Sequence, residues 1–242
     1  MRFISLASRN MKEIYRDPVS ILLGVGMPAV LLILFISISK NIPAEIFTPV
    51  MLTPGVIVFS FAFLTMFSSQ LLGKDRKSAF LTRLLASPLR SIDFILAYSL
   101  PFLPIALAQI GIIYSVGIFL GMPFNLNILI SMIVLIPIAI VCIGMGMIMG
   151  SLLSLNQIAG IGSIVIVTIS LFGGSWMDLK MFGGMFKSIG YALPFAHAID
   201  AARAILKGAD VGSISADIYW TIGYAVGFFI LGVMSFQWKT KR

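Results

Sequence analysis

The sequence predicts an all-α integral membrane protein with six transmembrane helices, and three observations support this fold class. Of the 242 residues, 59% are hydrophobic and only 11% are charged, and the mean hydropathy is +1.06, which a water-soluble domain could not carry without large exposed apolar patches. The uncharged runs reach or exceed the roughly 20 residues that a helix needs to cross a bilayer. The basic residues cluster at the ends of these runs, as expected of anchors on the inner side of a membrane.

The positions of charges and helix breakers divide the chain into six spans within a single domain, 1–242. Residues 94–177 contain no charge, so this run must turn at uncharged sites, and polar, helix-breaking stretches at 121–127 and 151–157 divide it into three. The predicted spans are 18–39, 46–73, 94–120, 128–150, 158–176 and 218–238.

An even number of spans places both termini on one side of the membrane. That side holds 12 of the 17 Lys and Arg residues, counting the N-terminus, the loop 74–93 and the tail. Because cytoplasmic loops carry an excess of Lys and Arg, we predict a multi-pass protein of the plasma (cytoplasmic) membrane with cytoplasmic N- and C-termini.

Residues 1–17 are predicted to form an interfacial elbow helix. Phe3, Ile4, Leu6 and Ala7 share one half of the helical wheel with Met11, Ile14 and Tyr15, and the cations lie on the other half. Such a helix lies with its apolar face among the acyl chains. A role in anchoring to membrane lipids and a role in docking a partner are both compatible with this pattern.

Residues 74–93 are the only internal segment with dense charge between long uncharged runs. A short amphipathic helix is predicted here, with Phe80, Leu84 and Leu85 on one arc and Arg83 off it. The pair Ser87-Pro88 ends this helix and begins the next. The segment either acts as a lever on the third span or only anchors a cytoplasmic loop to anionic headgroups.

The segment 178–217 is predicted to re-enter the membrane from the outer side. A helix beginning at Pro194 presents His197, Asp200 and Arg203 as a polar stripe. This stripe is interpreted either as an outer gate, in which Asp200 and Arg203 pair at i,i+3, or as a solvated face, and the solvated face is preferred for each side chain taken singly. His197 has no second His or Cys in helical range, so no metal site is predicted.

Missing chemistry excludes several function classes. The predicted spans carry essentially no ionisable group, which argues against ion-coupled carriers and membrane-embedded hydrolases. The chain lacks the G-x4-G-K-[ST] phosphate loop, so it is not predicted to hydrolyse ATP, and no catalytic residue or bound cofactor is predicted. The basic residues do not gather on one face, so no nucleic acid partner is expected. Cys142 is predicted to be buried and inert.

Three segments resemble the membrane subunits of type-2 ABC exporters, a permease family that includes drug, antibiotic and polysaccharide exporters. They are the elbow ending in Arg16-Asp17-Pro18, the coupling segment with Leu84-Leu85-Ala86-Ser87-Pro88-Leu89, and the outer stretch 193–208. The resemblance covers nearly the whole chain. One departure is Lys77-Ser-Ala-Phe80, where many members have a Glu-Gly-Thr-like run.

The resemblance implies a separate cytoplasmic ATPase that binds ATP and Mg²⁺, and a second permease copy, identical or related. Substrate would move outward between the two permeases, and the methionine- and phenylalanine-rich interior suits an amphiphilic or hydrophobic substrate. A passive channel or gradient-driven carrier, or a membrane scaffold or sensor, are the alternatives. The residues expected at the ATPase-coupling surface are Arg9, Lys12, Arg16, Arg76, Lys77, Arg83, Leu84, Leu85, Pro88 and Arg90, and those expected at the outer gate are Pro194, His197, Asp200 and Arg203.

Overall fold

A computed structural model of the chain describes residues 2–39, 48–78, 80, 90–181 and 183–240. Within these residues the regular secondary structure is entirely helical. The elements are α1 (Arg2–Tyr15), α2 (Pro18–Ser39), α3 (Pro49–Lys77), α4 (Ser91–Ser99), α5 (Phe102–Phe119), α6 (Leu126–Val134), α7 (Ile136–Leu152), α8 (Leu155–Phe172), α9 (Gly184–Ala192), α10 (Pro194–Leu206) and α11 (Ser215–Thr240), with short 3₁₀ turns at Leu179–Met181 and Val211–Ile214.

Within the part of the chain that the structure describes, six helical segments are long and apolar enough to cross a membrane, which confirms the predicted all-helical class with six spans. Span 1 is α2, span 2 is α3, span 3 joins α4 to α5, span 4 joins α6 to α7, span 5 is α8, and span 6 runs over Val211–Lys239. We call the end of the bundle that carries α1 the elbow end. The helices α9 and α10 lie between spans 5 and 6, at the opposite end.

Span 2 forms the centre of the bundle. It packs against spans 1, 3, 4 and 5 and against α10, and its side chains are largely buried. Close approach to span 4 requires glycine, because a Cβ at Gly146 would lie 1.9 Å from Ser68 Oγ and one at Gly150 would lie 2.8 Å from the Ser69 carbonyl oxygen. Gly146 and Gly150 form a small-residue pair at the i,i+4 spacing that allows helices to approach closely, and the pair is used here between two spans of the same chain.

Three spans are irregular beside prolines, which are expected to kink a transmembrane helix. Span 1 contains a π turn, Leu22–Gly26, just before Pro28. Span 3 is interrupted at Leu100-Pro101, and span 4 at Leu135, two residues before Pro137. A proline inside a helix removes one hydrogen bond and crowds the preceding turn, which accounts for these breaks.

Several boundaries differ from the sequence prediction. Span 2 continues through Lys77, so residues 74–77, expected in the loop, belong to the helix, where three basic side chains complement its C-terminus. Span 5 begins at Leu155 rather than 158, because Ser154 and Gln157 form a capping box. It ends at Phe172 rather than 176, just before Gly174, whose φ of 72° does not continue a helix.

Candidate functional site

Three elements meet at a buried carboxylate at the elbow end. Asp75, in the last turn of span 2, is 4% exposed. Arg9 of α1 contacts it through both terminal nitrogens, and its Nη2 donates to Oδ1 at 3.1 Å. The hydroxyl of Tyr98, from span 3, donates to Oδ2 at 2.6 Å. We call Arg9, Asp75 and Tyr98 the elbow cluster.

Further contacts fix α1 against its neighbours around this cluster. Asn10 is fully buried, and its Nδ2 donates to the Ala97 carbonyl oxygen in span 3 at 3.1 Å. Arg9 also pairs with Glu13 at 2.7 Å, and its guanidinium lies 4.5 Å from the centre of the Phe80 ring. Phe80 follows span 2, so α1 contacts the beginning of the segment that joins spans 2 and 3.

The electrostatic balance keeps Arg9 charged. Burial lowers the pKa of Arg9, but the hydrogen bond and the negative charge of Asp75, together with the charge of Glu13, outweigh burial, so the net pKa is raised. Hydrogen bonds to charged groups are the strong ones in proteins. The elbow cluster is therefore a fixed joint between α1 and spans 2 and 3.

The residues predicted for coupling do not form one group. Arg76 donates to the Gly150 and Leu153 carbonyl oxygens at 3.0 and 2.8 Å, and so holds the end of span 4. Lys12, Arg16, Lys77 and Arg90 are exposed. Arg83, Leu84, Leu85 and Pro88 lie outside the described residues.

At the opposite end, the predicted gate residues His197 and Asp200 both contact Tyr191, and His197 also contacts Asp217. Pro194 begins α10. His197 Nδ1 lies 2.5 Å from Asp217 Oδ1 in span 6, and its Nε2 lies 2.9 Å from the Tyr191 carbonyl oxygen. Asp200 accepts a 2.5 Å hydrogen bond from the Tyr191 hydroxyl. Asp200 also lies 3.3 Å from Lys180 Nζ.

Arg203 corrects the solvated-face interpretation, because it is 5% exposed. Its Nε donates to the Met51 carbonyl oxygen at 2.8 Å, and its Nη2 donates to the Gly174 carbonyl oxygen at 3.0 Å. The predicted pair with Asp200 is 3.9 Å long, beyond hydrogen-bond distance. Arg203 therefore joins α10 to the beginning of span 2 and the end of span 5.

Sequence reasoning missed Asp75, Asn10 and Tyr98. Two signals were available: Asp75 is the one acidic residue in the basic stretch 74–77, and Asn10 occupies the helix face that Leu6 and Ile14 define. Neither signal identifies a partner. Tyr98 carries none, because an isolated tyrosine in an apolar span is ordinary.

A family model and two relatives relate this chain to known proteins. A family model described as ABC-2 type transporter matches residues 1–207. A protein of Pyropia yezoensis named as transport permease ycf38 is 32% identical over 123 residues, and its counterpart in Porphyra purpurea is 31% identical over 123 residues. Each alignment covers 48% of this chain and 42% of the relative, so the similarity extends over less than half of either protein.

Proposed function

The chain belongs to the ABC-2 type transporter family, and from this premise we propose that it is the membrane subunit of an ATP-driven exporter. A separate cytoplasmic ATPase binds ATP and Mg²⁺ and supplies the energy. This chain, with a second identical or related copy, forms the outward path for an amphiphilic or hydrophobic substrate. The elbow end faces the cytoplasm, in line with the distribution of Lys and Arg.

The elbow cluster is the observation that carries the proposal. It joins α1, the end of span 2 and the beginning of span 3 through a partly buried ion pair and a buried hydroxyl. The segment between spans 2 and 3 begins beside this joint, since Phe80 packs on Arg9. A partner that pushes on the segment therefore acts on two spans held at fixed distances, and the load is transmitted to the bundle instead of being absorbed by a loose loop.

The surfaces of spans 5 and 6 are compatible with lipid and a second copy. Only 17% of the most apolar stretch of each is buried within the chain, against 72% for span 2. Exposed apolar helix faces on this scale are stable in a bilayer or against another membrane helix. At the opposite end, the contacts of His197, Asp200 and Arg203 support an outer gate.

The test is co-purification with the partner ATPase. Arg83→Glu combined with Leu84→Ser and Leu85→Ser removes the charge and the apolar arc of the coupling segment, and we expect the chain to insert in the membrane but to lose the ATPase. Lys239→Glu, an exposed cation in the tail, is the matched control and retains it. If the triple variant still co-purifies with the ATPase, segment 74–93 does not act as a lever on the third span. Uphill transport by the chain alone would favour a gradient-driven carrier.

A second test concerns the outer gate. Asp200→Asn weakens the contact with Lys180 while leaving an oxygen that accepts from Tyr191. We expect an altered transport rate in vesicles that contain the assembled complex, with assembly itself unchanged. A transport rate equal to that of the wild type would show that Asp200 has no role in gating.

A further inference from the structure

A cavity of about 70 Å³ lies at the elbow end, between the beginning of span 1 and the neighbouring parts of spans 2 and 3. Most of its wall is apolar and includes Ile21, Phe67, Leu71, Phe102 and Ile105. It is separate from the elbow cluster, because neither Arg9 nor Asp75 nor Tyr98 lines it. An apolar wall of this kind suits the hydrocarbon part of a ligand.

Charged groups gather at the mouth of the cavity. Glu13, Asp17 and Lys74 line it there, so two carboxylates face one ammonium group. Asp17 accepts hydrogen bonds from Ser20 Oγ at 2.7 Å and Ser20 N at 3.2 Å, and these bonds lower the pKa of Asp17. Glu13 pairs with Arg9 on the other side of α1, but Arg9 also serves Asp75. The mouth therefore attracts a cation.

The inner end of the cavity is lined by the side-chain amide of Gln109, whose nitrogen is hydrogen-bonded and whose oxygen has no partner among the described residues. Gln109 is fully buried, and its Nε2 donates to the Gly24 and Ser60 carbonyl oxygens at 2.7 and 3.2 Å. Because both neighbours are acceptors, the amide cannot be reversed. Its Oε1 has no hydrogen-bond partner among the described residues. A donor that reaches this end of the cavity would be satisfied there.

The backbone of span 1 is shaped to leave this space. Gly24 lies in the π turn Leu22–Gly26, and a Cβ at this position would lie 2.9 Å from Phe67 Cε2. The lack of a side chain thus lets span 1 approach span 2 while the wider turn directs the Gly24 carbonyl to Gln109. Single π turns inside α-helices occur frequently at functional sites.

We propose that this cavity binds an amphiphile with a primary ammonium head group. The ammonium group lies at the mouth and donates to Asp17 and Glu13. The cavity of about 70 Å³ holds only the first few carbons of the apolar part, between Phe67 and Phe102, where a donor group on these carbons reaches Gln109 Oε1. The rest of the chain lies outside the cavity, in the bilayer.

Lys74 opposes a simple amine but can pair with a phosphate on the same head group. Two sources share this chemistry, an aminophospholipid of the bilayer and a free amphiphilic amine. The inference concerns binding by this chain and does not depend on the proposed coupling to ATP.

Photolabelling of the full chain in nanodiscs of phosphatidylcholine and phosphatidylglycerol tests the proposal. The probe is a long-chain primary alkylamine with a diazirine in its chain, and labelled peptides are mapped by mass spectrometry. We expect label on the stretches that contain Phe67 and Phe102. Asp17→Asn keeps an oxygen for the Ser20 cap but loses the charge, and should lower labelling about fivefold, as for the loss of one partly exposed ion pair.

Matched controls separate the site from general partitioning. Asp93→Asn removes a carboxylate at the same end, where Asp93 accepts from the Arg90 backbone N–H at 3.0 Å, and should label like the wild type. An alkyl sulfate with the same chain should not label the cavity, and an alkyl trimethylammonium, which has no N–H, should label it more weakly. Equal labelling of Asp17→Asn and Asp93→Asn, equal labelling by the sulfate, or label confined to other surfaces would overturn the proposal.

Lys74→Gln distinguishes the two sources. Removing this like charge should increase labelling by the simple amine. If phosphatidylethanolamine added to the nanodiscs competes with the probe, and competes less well in Lys74→Gln, the natural ligand is a bilayer aminophospholipid. If the amine probe labels the cavity and phosphatidylethanolamine does not compete, the ligand is a free amphiphilic amine.

Discussion

Arg9 at the elbow end and Arg203 at the opposite end are both held at the packed surface of span 2, but by different partners. Arg9 contacts the carboxylate of Asp75 and leaves part of its own side chain exposed. Arg203 is almost fully enclosed, and its hydrogen bonds go to main-chain carbonyl oxygens of span 2 and of the turn after span 5. The charge of Arg9 is balanced mainly by a carboxylate, and the charge of Arg203 is stabilised mainly by the dipoles of backbone carbonyl groups.

This difference predicts how each end responds to substitution. Removing one member of an ion pair leaves a buried charge, but replacing both members with apolar residues is often neutral. Arg203 cannot be compensated in this way, because its hydrogen-bond acceptors belong to the backbone and the nearby carboxylate of Asp200 is 3.9 Å from Nη1. The stability lost by replacing Arg9 should therefore be partly restored by a second substitution at Asp75, and the stability lost by replacing Arg203 should not be restored in this way.

The largest effect is expected from Arg203→Met. Carbonyl oxygens at Met51 and Gly174 lose a charged donor, and each hydrogen bond to a charged group contributes about 1.5–3 kcal/mol, so the free energy of unfolding should fall by about 3 kcal/mol. Thermal unfolding in detergent measures it. Lys207→Met, an exposed cation one turn further along, is the control, and an equal loss there would contradict the dipole-solvated role of Arg203.

Arg9→Met is expected to have a smaller effect. It leaves Asp75 without its cation, but Tyr98 still donates to Asp75 and this end of the bundle is partly open, so a loss of about 2 kcal/mol is expected, below the range for a fully buried pair. Adding Asp75→Leu should recover part of that loss. A double variant less stable than either single variant would show that replacing Asp75 does not compensate for the loss of Arg9. Arg16→Met, at an exposed position directly after α1, controls for the loss of a cation.

Two tyrosines sharpen the comparison further. Tyr98 donates to Asp75 and Tyr191 donates to Asp200, at 2.6 and 2.5 Å. Tyr98→Phe, fully buried, should lower stability by about 1.5 kcal/mol, and Tyr191→Phe, half-buried, by about 0.5 kcal/mol. Burial, followed by the hydrogen bond to Asp200, raises the pKa of Tyr191, so the effect of Tyr191→Phe should not change between pH 6 and 8. Equal losses would show that burial does not set the strength of these bonds.

A small effect that depends on pH is expected from Asp17→Ala, at the start of span 1. Loss of an N-cap costs about 1 kcal/mol. Hydrogen bonds from Ser20 lower the pKa of Asp17 in the folded protein, so its contribution is present above the unfolded pKa near 4 and is lost as the pH falls through the lower folded value. The difference in stability between wild type and variant should shrink at acidic pH. A difference that grows on acidification would reverse the assignment.

Much of the fold follows from local rules. Spans 1 and 4 are close to the predicted ranges because hydrophobic length and helix breakers are properties of short stretches. The i,i+4 spacing of Gly146 and Gly150 predicts a close helix approach, and the structure has one at this pair. The Gly223 and Gly227 pair carries the same motif, yet a Cβ at either position would meet nothing within 4 Å. The motif shows that another helix could approach closely at this position, but it does not show which helix does so.

The candidate sites were predicted unevenly for the same reason. Arg9 and Arg203 were both identified from the sequence as functional candidates, but Arg203 was expected to face solvent, since its helical stripe is polar. Its burial results from the start of span 2, 152 residues away in the chain. Asp75 was placed in a loop, because charge ended the apolar run before the helix itself ended.

Hydrophobic run length, the distribution of cations and the positions of proline and glycine by themselves determined the all-helical class, the number of spans and the amphipathic elbow helix, because these depend on transfer free energies and backbone geometry of neighbouring residues. The tertiary structure alone decided that Asp75 faces Arg9 and Tyr98 and that Arg203 faces carbonyl oxygens. It also decided that Gln109 lines a cavity with a side-chain oxygen that no described residue hydrogen-bonds. Each of these depends on distances between spans that are remote in sequence, and a buried polar group is defined by the partner that the packing brings to it.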